Sequence, residues 1–163
     1  MKKILLISDT HGYFDKKIIK YANKVDEIWH AGDIGDISVS DKLKKIKPLR
    51  GVYGNIDDQK IRTEFPLHNR FICEKVNVWI THIGGYPKRY NPKILEELKS
   101  NPPDLFICGH SHILKVINDK ELDLLHMNPG AIGKYGLHRV RTMIQFEING
   151  KKIENLSVIE FER

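Results

Sequence analysis

The stretch Lys3-Ile4-Leu5-Leu6-Ile7-Ser8-Asp9-Thr10-His11-Gly12 runs four aliphatic residues without a break, then switches to a carboxylate, an imidazole and a glycine. A short unbroken apolar run reads as a strand buried on both faces, of the kind found inside a parallel sheet. The same punctuation recurs along the chain. Further apolar runs lead into Gly32-Asp33, Gly54-Asn55-Ile56-Asp57, Thr81-His82 and Gly109-His110-Ser111-His112.

The segments between these motifs set the fold class. Residues 14–24 carry Phe14, Ile18, Ile19, Tyr21 and Ala22 as a helical stripe, and 27–31 reads as a second strand. A short helix is predicted over 40–46, with Ser40 as its cap and Pro48 beyond its end, followed by a third strand over 49–53. This strand–helix alternation predicts parallel neighbours joined by right-handed crossovers. Beyond residue 60, the runs 71–75 and 77–81 suggest an antiparallel hairpin. A Gly/Pro/Tyr-rich loop over 83–92 then leads into a helix at 93–99, and 105–108 reads as another buried strand. From Leu114 onward only strands and turns are expected, with 140–148 and 153–161 alternating across an Asn149-Gly150 turn. No repeat, linker or low-complexity tract appears, so one domain over residues 1–163 is expected, with two sheets and a few covering helices.

Composition narrows the class. Hydrophobic content of 40% and charged content of 29% are ordinary for a globular protein. The opening apolar run is too short for a secretory signal, and nothing approaches a membrane span. Cys73 and Cys108 sit in separate apolar runs and read as buried free thiols, which suits a cytoplasmic location. The net charge of +6 raises a nucleic-acid partner. Its lysines, however, are scattered over helix faces, and no segment interleaves arginine with aromatics as strand-binding grooves do. No membrane or specific nucleic-acid partner is therefore expected, though a mild positive field would draw anionic phosphoesters.

Seven residues in the strand-end motifs can bind a cation: Asp9, His11, Asp33, Asn55, His82, His110 and His112. That is too many for one ion and about right for two, and two-ion sites mostly cleave phosphate esters. Residues two apart in a strand face the same way, so Asp9 and His11 are expected to aim at one point, as are His110 and His112. Crevices form beyond the carboxyl ends of strands, where motifs far apart in sequence would converge.

The ordered set Asp-x-His, Gly-Asp, Gly-Asn-x-Asp, strand-end His and Gly-His-x-His resembles the calcineurin-like metallophosphoesterases. Asn128-Pro129-Gly130-Ala131 further resembles a turn of their short prokaryotic phosphodiesterase subgroup. The resemblance implies an α/β fold, a single-domain αββα sandwich of two mixed β-sheets flanked by helices. It implies one ion on Asp9, His11, Asp33 and His112, and another on Asp33, Asn55, His82 and His110, with Asp33 bridging. A bridging water acidified by both ions would attack phosphorus, with no catalytic side chain beyond it. Mn²⁺ is the first expected ion, with Ni²⁺, Fe²⁺ and Zn²⁺ as alternatives.

One departure stands out. Where the family usually carries a proton-donating histidine, this chain has Ile56, so small phosphodiesters with good leaving groups are the expected substrates. Asp57 is expected to orient a neighbouring ligand or backbone group. The alternatives are a non-catalytic interaction scaffold of the same fold, or a phosphomonoesterase or nuclease; homodimerisation stays open. Among the other histidines, His30 reads as a hydrogen-bonded core residue and His68 as exposed loop. His126 reads as either a packed strand residue or a support to the site. His138 lies in the Gly-rich stretch 133–139 and is the candidate substrate contact, provided that loop folds over the site. Tyr86, Arg89 and Tyr90 are read as substrate contact, dimer contact or plain surface.

Overall fold

In the computed structural model, which describes residues 1–163, the opening apolar run forms strand β1 (Lys2–Ile7) inside a five-stranded sheet. Ile4 and Leu6 face the core between two sheets, while Leu5 and Ile7 face a second core under the helices. Burial on both sides explains why this strand lacks polar alternation. The chain continues through α1 (Lys17–Ala22), β2 (Glu27–His30), α2 (Ile37–Lys44) and β3 (Leu49–Gly51), with β2 and β3 added parallel to β1.

A short α3 (Gln59–Glu64) leads into the second sheet. It is built from β4 (His68–Cys73), β5 (Val76–Thr81), β8 (Leu105–Ile107), β9 (Leu114–Asp119) and β10 (Leu124–Pro129), in the order β4-β5-β8-β10-β9. Between β5 and β8 lie a two-stranded ribbon, β6 (Gly85–Tyr86) with β7 (Arg89–Tyr90), and helix α4 (Pro92–Ser100). The final hairpin, β11 (Val140–Asn149) and β12 (Lys152–Glu162), returns to the first sheet, β11 pairing antiparallel with β1. Each five-stranded sheet is mixed, and each holds a parallel trio, β1–β2–β3 or β5–β8–β10. Trp29 fills the space between the sheets, edge-on to Phe71 and Phe146. Ile18, Leu43 and Ile61 cover the outside of the first sheet, and Ile94 and Leu98 of α4 cover the second. The αββα layering and the mixed sheets match the expectation from sequence.

Helix boundaries differ, for local reasons. The stripe over 14–24 yields only α1, because the Asp15 carboxylate accepts the Lys17 N–H and holds the residues before it in a turn. Helix α2 starts before Ser40, capped by Asp36, whose Oδ1 accepts the Ser38 N–H at 2.8 Å; Ser40 lies inside the helix. Helix α3 is additional, capped by Asp58 on the Ile61 N–H. The last hairpin turns where expected, with Asn149 opposite Lys152 and Gly150 at φ +62°. His68 belongs to β4 rather than a loop. No helix is long and apolar enough to cross a membrane.

A buried ion pair fastens the end of the first sheet to the loop after β1. Arg141 donates to Asp15 Oδ2 at 2.8 Å and to the Ile132 and Glu162 carbonyls, and both side chains are buried. Burial works against the Asp15 carboxylate, but the Lys17 N–H and the Arg141 guanidinium outweigh it and hold its pKa below the usual value. The stabilisation is therefore present above the unfolded pKa of about 3.9 and is lost as pH falls through the lower folded value. Asp15→Ala leaves a buried guanidinium unpaired and is expected to cost about 3 kcal/mol. Urea titrations at neutral pH and near pH 3 check this: the gap between variant and parent should narrow in acid.

Candidate metal centre

The seven candidate ligands all lie within five residues of the C-terminal ends of parallel strands: β1, β2 and β3 of one sheet, β5 and β8 of the other. They are not presented by strand alternation, however. Asp9, His11, Asp33, His110 and His112 take φ values of +54°, +46°, +54°, +73° and +61°, so each sits in a left-handed turn. A non-glycine residue pays roughly 1 kcal/mol or more for that conformation. Cross-loop backbone bonds hold these turns: Asp9 N–H to Gly32 O, His11 N–H to Asp33 O and Gly109 N–H to His82 O, each 3.0 Å. A Cβ at Gly54 would collide with the Asp33 carboxylate, which is why a glycine precedes Asn55.

The turns gather the side chains into two groups, Asp9, His11 and His112 in one and Asp33, His82 and His110 in the other. Asp33 Oδ2 lies 3.4 Å from His11 Nε2 and 3.1 Å from His82 Nε2, so it stands between the groups. Asp9 Oδ1 lies 3.3 Å from His112 Nε2 and 3.7 Å from His11 Nε2. Asn55 Oδ1 joins the second group, 3.1 Å from His110 Nδ1. Asp9, Asp33 and His82 form a buried floor, while Asn55 and His110 form an exposed rim.

The donor set fits divalent cations. Asp9 Oδ1, His11 Nε2 and His82 Nε2 are buried without hydrogen-bond partners, although they converge. His82 is the sharpest case. Its Nδ1 lies 2.7 Å from the Ala31 carbonyl and must carry the hydrogen, which leaves the neutral ring a lone pair on Nε2 facing two carboxylates. Such an array is repulsive unless a proton or a metal ion stands between. Burial opposes the charged ring, yet Asp33 and Asp9 raise the His82 pKa above its usual value. Burial likewise opposes the Asp9 carboxylate, but His11, His112 and His82 hold its pKa well below normal. Oxygen and imidazole donors without a thiolate suit Mn²⁺, Fe²⁺, Ni²⁺ or Zn²⁺.

The surrounding residues aim these donors. Ser8 Oγ and the His110 N–H both donate to Asp9 Oδ2, leaving Oδ1 free. The Ile56 N–H donates to Asp33 Oδ1. Asp57 accepts the N–H groups of Ile34, Gly35 and Gly54 at 3.1, 2.7 and 2.8 Å, tying the Asp33 turn to the Asn55 turn. Asn128 donates to the Gly109 carbonyl and Ser111 Oγ, which anchors the turn carrying His110 and His112. Ser8 was missed in the sequence because only its contact with Asp9 distinguishes it from a strand-end serine.

His30 is a core histidine. Its Nδ1 accepts the Gly32 N–H, so Nε2 carries the hydrogen and donates to Thr10 Oγ1, which in turn donates to the Ile34 carbonyl. Burial keeps it neutral, its pKa pushed down to about 4. His126 packs between Tyr90 and Phe106 on β10 with neither ring nitrogen hydrogen-bonded. The 133–139 loop does reach the first group: Tyr135 stacks on His11 and His138 packs edge-on against His112, 5.2 Å between centroids. His138 Nε2 donates to the Gly133 carbonyl, and Nδ1 is buried without a partner.

Residues 1–151 match the model of the calcineurin-like phosphoesterase superfamily domain. A probable metallophosphoesterase of Methanocaldococcus jannaschii is 31% identical over 134 residues, covering 77% of this chain. The match spans 66% of that relative, slightly less than two thirds of its length. Among solved structures, Vps29 of Chaetomium thermophilum superposes with a TM-score of 0.78 at 19% identity, covering 99% of this chain and 94% of its own. An archaeal phosphodiesterase gives 0.75 at 24% identity, covering 96% and 99%. At such identities these two likenesses speak to the fold.

Metal content should track the two groups. Reconstitution with Mn²⁺ followed by elemental analysis is expected to give about two ions per chain, since seven donors with one shared carboxylate suit two sites. Asp33→Ala should drop this below one, whereas His30→Ala should retain the ions and lose stability instead. The reverse ranking would show that His30, not Asp33, holds the centre together.

Proposed function

The chain belongs to the calcineurin-like phosphoesterase superfamily, and from that membership we propose that it is a two-metal phosphodiesterase. The observation that carries this reading is the position of Asp33, whose Oδ2 lies within 3.4 Å of an imidazole nitrogen from each ligand group. Asp9, His11, Asp33 and His112 would hold one ion; Asp33, Asn55, His82 and His110 would hold the other, with Mn²⁺ the proposed occupant. Bound there, the pair supplies Lewis acidity for the phosphoryl oxygens and a water of lowered pKa as nucleophile.

The chain's own residues do the rest. Asp57 and Asn128 fix the turns so that the donors need not reorganise, and Asp9, Asp33 and His82 are held on a buried floor beneath the exposed Asn55 and His110. Ile56, half exposed at the mouth, contributes its backbone N–H to Asp33, and its side chain has no proton to donate. The alkoxide or aryloxide would thus leave without a proton from that position, which favours diesters with acidic leaving groups. A substrate contact through His138 requires the 133–139 loop to shift, since Nδ1 is buried. The free cysteines, Cys73 and Cys108, both buried, support a cytoplasmic setting.

Activity is tested with aryl phosphodiesters after chelation and Mn²⁺ reconstitution. Hydrolysis of bis-p-nitrophenyl phosphate is expected, with rates falling steeply as the leaving group becomes less acidic. Ile56→His is expected to speed poor leaving groups more than good ones, by up to about 10²-fold, the lower end of general-acid assistance. A flat dependence on leaving-group pKa, with chemistry rate-limiting, would show that another group protonates the leaving oxygen.

A further inference from the structure

A cavity of about 520 Å³ opens beside the second ligand group, with His110 in its wall. Its lining includes three cations, Arg89 on β7, Lys93 in the first turn of α4 and Lys115 on β9, and no carboxylate. None of the three takes part in an ion pair. Lys115 is held at the rim by Tyr86, its Nζ 3.9 Å from the ring centroid, which positions the ammonium without neutralising it. Cations gathered around a concave surface repel one another and focus a positive potential into it, so an anion is its natural complement.

A second cavity, about 300 Å³, shares Ile83, Asn91 and Lys93 with the first and is walled by Asn55 and His82. It too has no carboxylate; its lining combines Tyr53, Leu67 and Ile94 with the shared Lys93 and with Arg62, whose guanidinium donates to the Asp57 and Asn55 carbonyls and lies over the Tyr53 ring. The two cavities therefore meet at the second ligand group from different sides. A phosphorus atom held there would direct its two ester substituents into different surroundings. One has three cations free of any ion pair; in the other, Arg62, the cation not shared with the first, already donates to backbone carbonyls beside Tyr53, Leu67 and Ile94.

We propose that the substrate is a phosphodiester carrying a second, terminal phosphate on one substituent, and that Arg89, Lys93 and Lys115 bind that phosphate. This rests on the phosphodiesterase reading above and adds the substrate class. The diester phosphorus sits at the ligand groups, the phosphate-bearing substituent fills the larger cavity, and the leaving aryl or base-like group lies against Tyr53, Leu67 and Ile94. Arg89 offers a planar fork suited to two phosphate oxygens, while the two lysines act as point charges.

The test compares two aryl diesters that differ only in the second phosphate: thymidine 5′-(p-nitrophenyl phosphate) and its 3′-phosphorylated form. With the Mn²⁺-reconstituted protein, the 3′-phosphate is expected to raise kcat/KM by about tenfold or more, mainly through KM, the size of one or two charge-assisted hydrogen bonds. The double variant Arg89→Gln, Lys115→Gln should bring that ratio close to one. A ratio near one in the parent protein, or a ratio kept by the variant, overturns the inference. Calorimetric titration with thymidine 3′,5′-bisphosphate against thymidine 5′-monophosphate reads the same preference without turnover. Should neither ester be hydrolysed, the phosphodiesterase reading fails, and the calorimetric preference, present or absent, still decides whether the cavity binds a second phosphate.

Discussion

Two buried carboxylates facing the lone pair of a buried imidazole are the constraint on which the rest of this molecule depends. Asp9 Oδ1 and Asp33 Oδ2 lie 3.8 and 3.1 Å from His82 Nε2, and the Ala31 carbonyl has already claimed the other ring nitrogen. Without a proton or a cation between its members, such a cluster would push itself apart if they were free to move. It persists because every member is fixed from behind. Ser8 and the His110 N–H restrain Asp9, the Ile56 N–H restrains Asp33, and β5 delivers His82 rigidly from the opposite sheet.

That restraint explains the strained backbone. Of the nine non-glycine residues with positive φ, five are candidate ligands, a concentration of backbone strain at one place. Bonds between the turns, such as Asp9 N–H to Gly32 O, and the three N–H groups gathered by Asp57 replace the regular pairing that the strand ends give up. The Arg141–Asp15 pair extends the same logic outward by clamping the loop after β1 onto the final hairpin.

The paired sheets divide the labour. One brings Asp9, His11, Asp33 and Asn55 from the ends of β1, β2 and β3; the other brings His82, His110 and His112 from β5 and β8. Their shared core around Trp29 sets the distance between the two halves of the centre. The cavities, in contrast, are completed by the segment between β5 and β8, where the β6–β7 ribbon and the start of α4 face Lys115 of β9 in one and Tyr53 and Leu67 in the other. The candidate ligands thus sit on strand ends, while an inserted ribbon and helix supply part of the cavity walls beside them.

The strand-end motifs, the β1–β2–β3 trio and the seven candidate ligands could be read as local patterns: an apolar run, a glycine and a polar residue in fixed order. The hairpin at Asn149-Gly150 was legible in the same way. The second trio, β5–β8–β10, joins strands whose spacing gave no such signal. Local patterns misjudged how ligands are presented, because the choice between strand and left-handed turn at Asp9 or His110 is made by bonds to loops far along the chain. They also put the cap of α2 at Ser40 instead of Asp36 and overlooked α3, since competing caps are resolved by packing. Most of all, the sequence left Arg89 open between substrate contact, dimer contact and plain surface, and gave no sign that Lys93 and Lys115 lie beside it. Their convergence on one acid-free cavity exists only because a ribbon, a helix turn and an edge strand meet in space, and no spacing along the chain encodes that meeting.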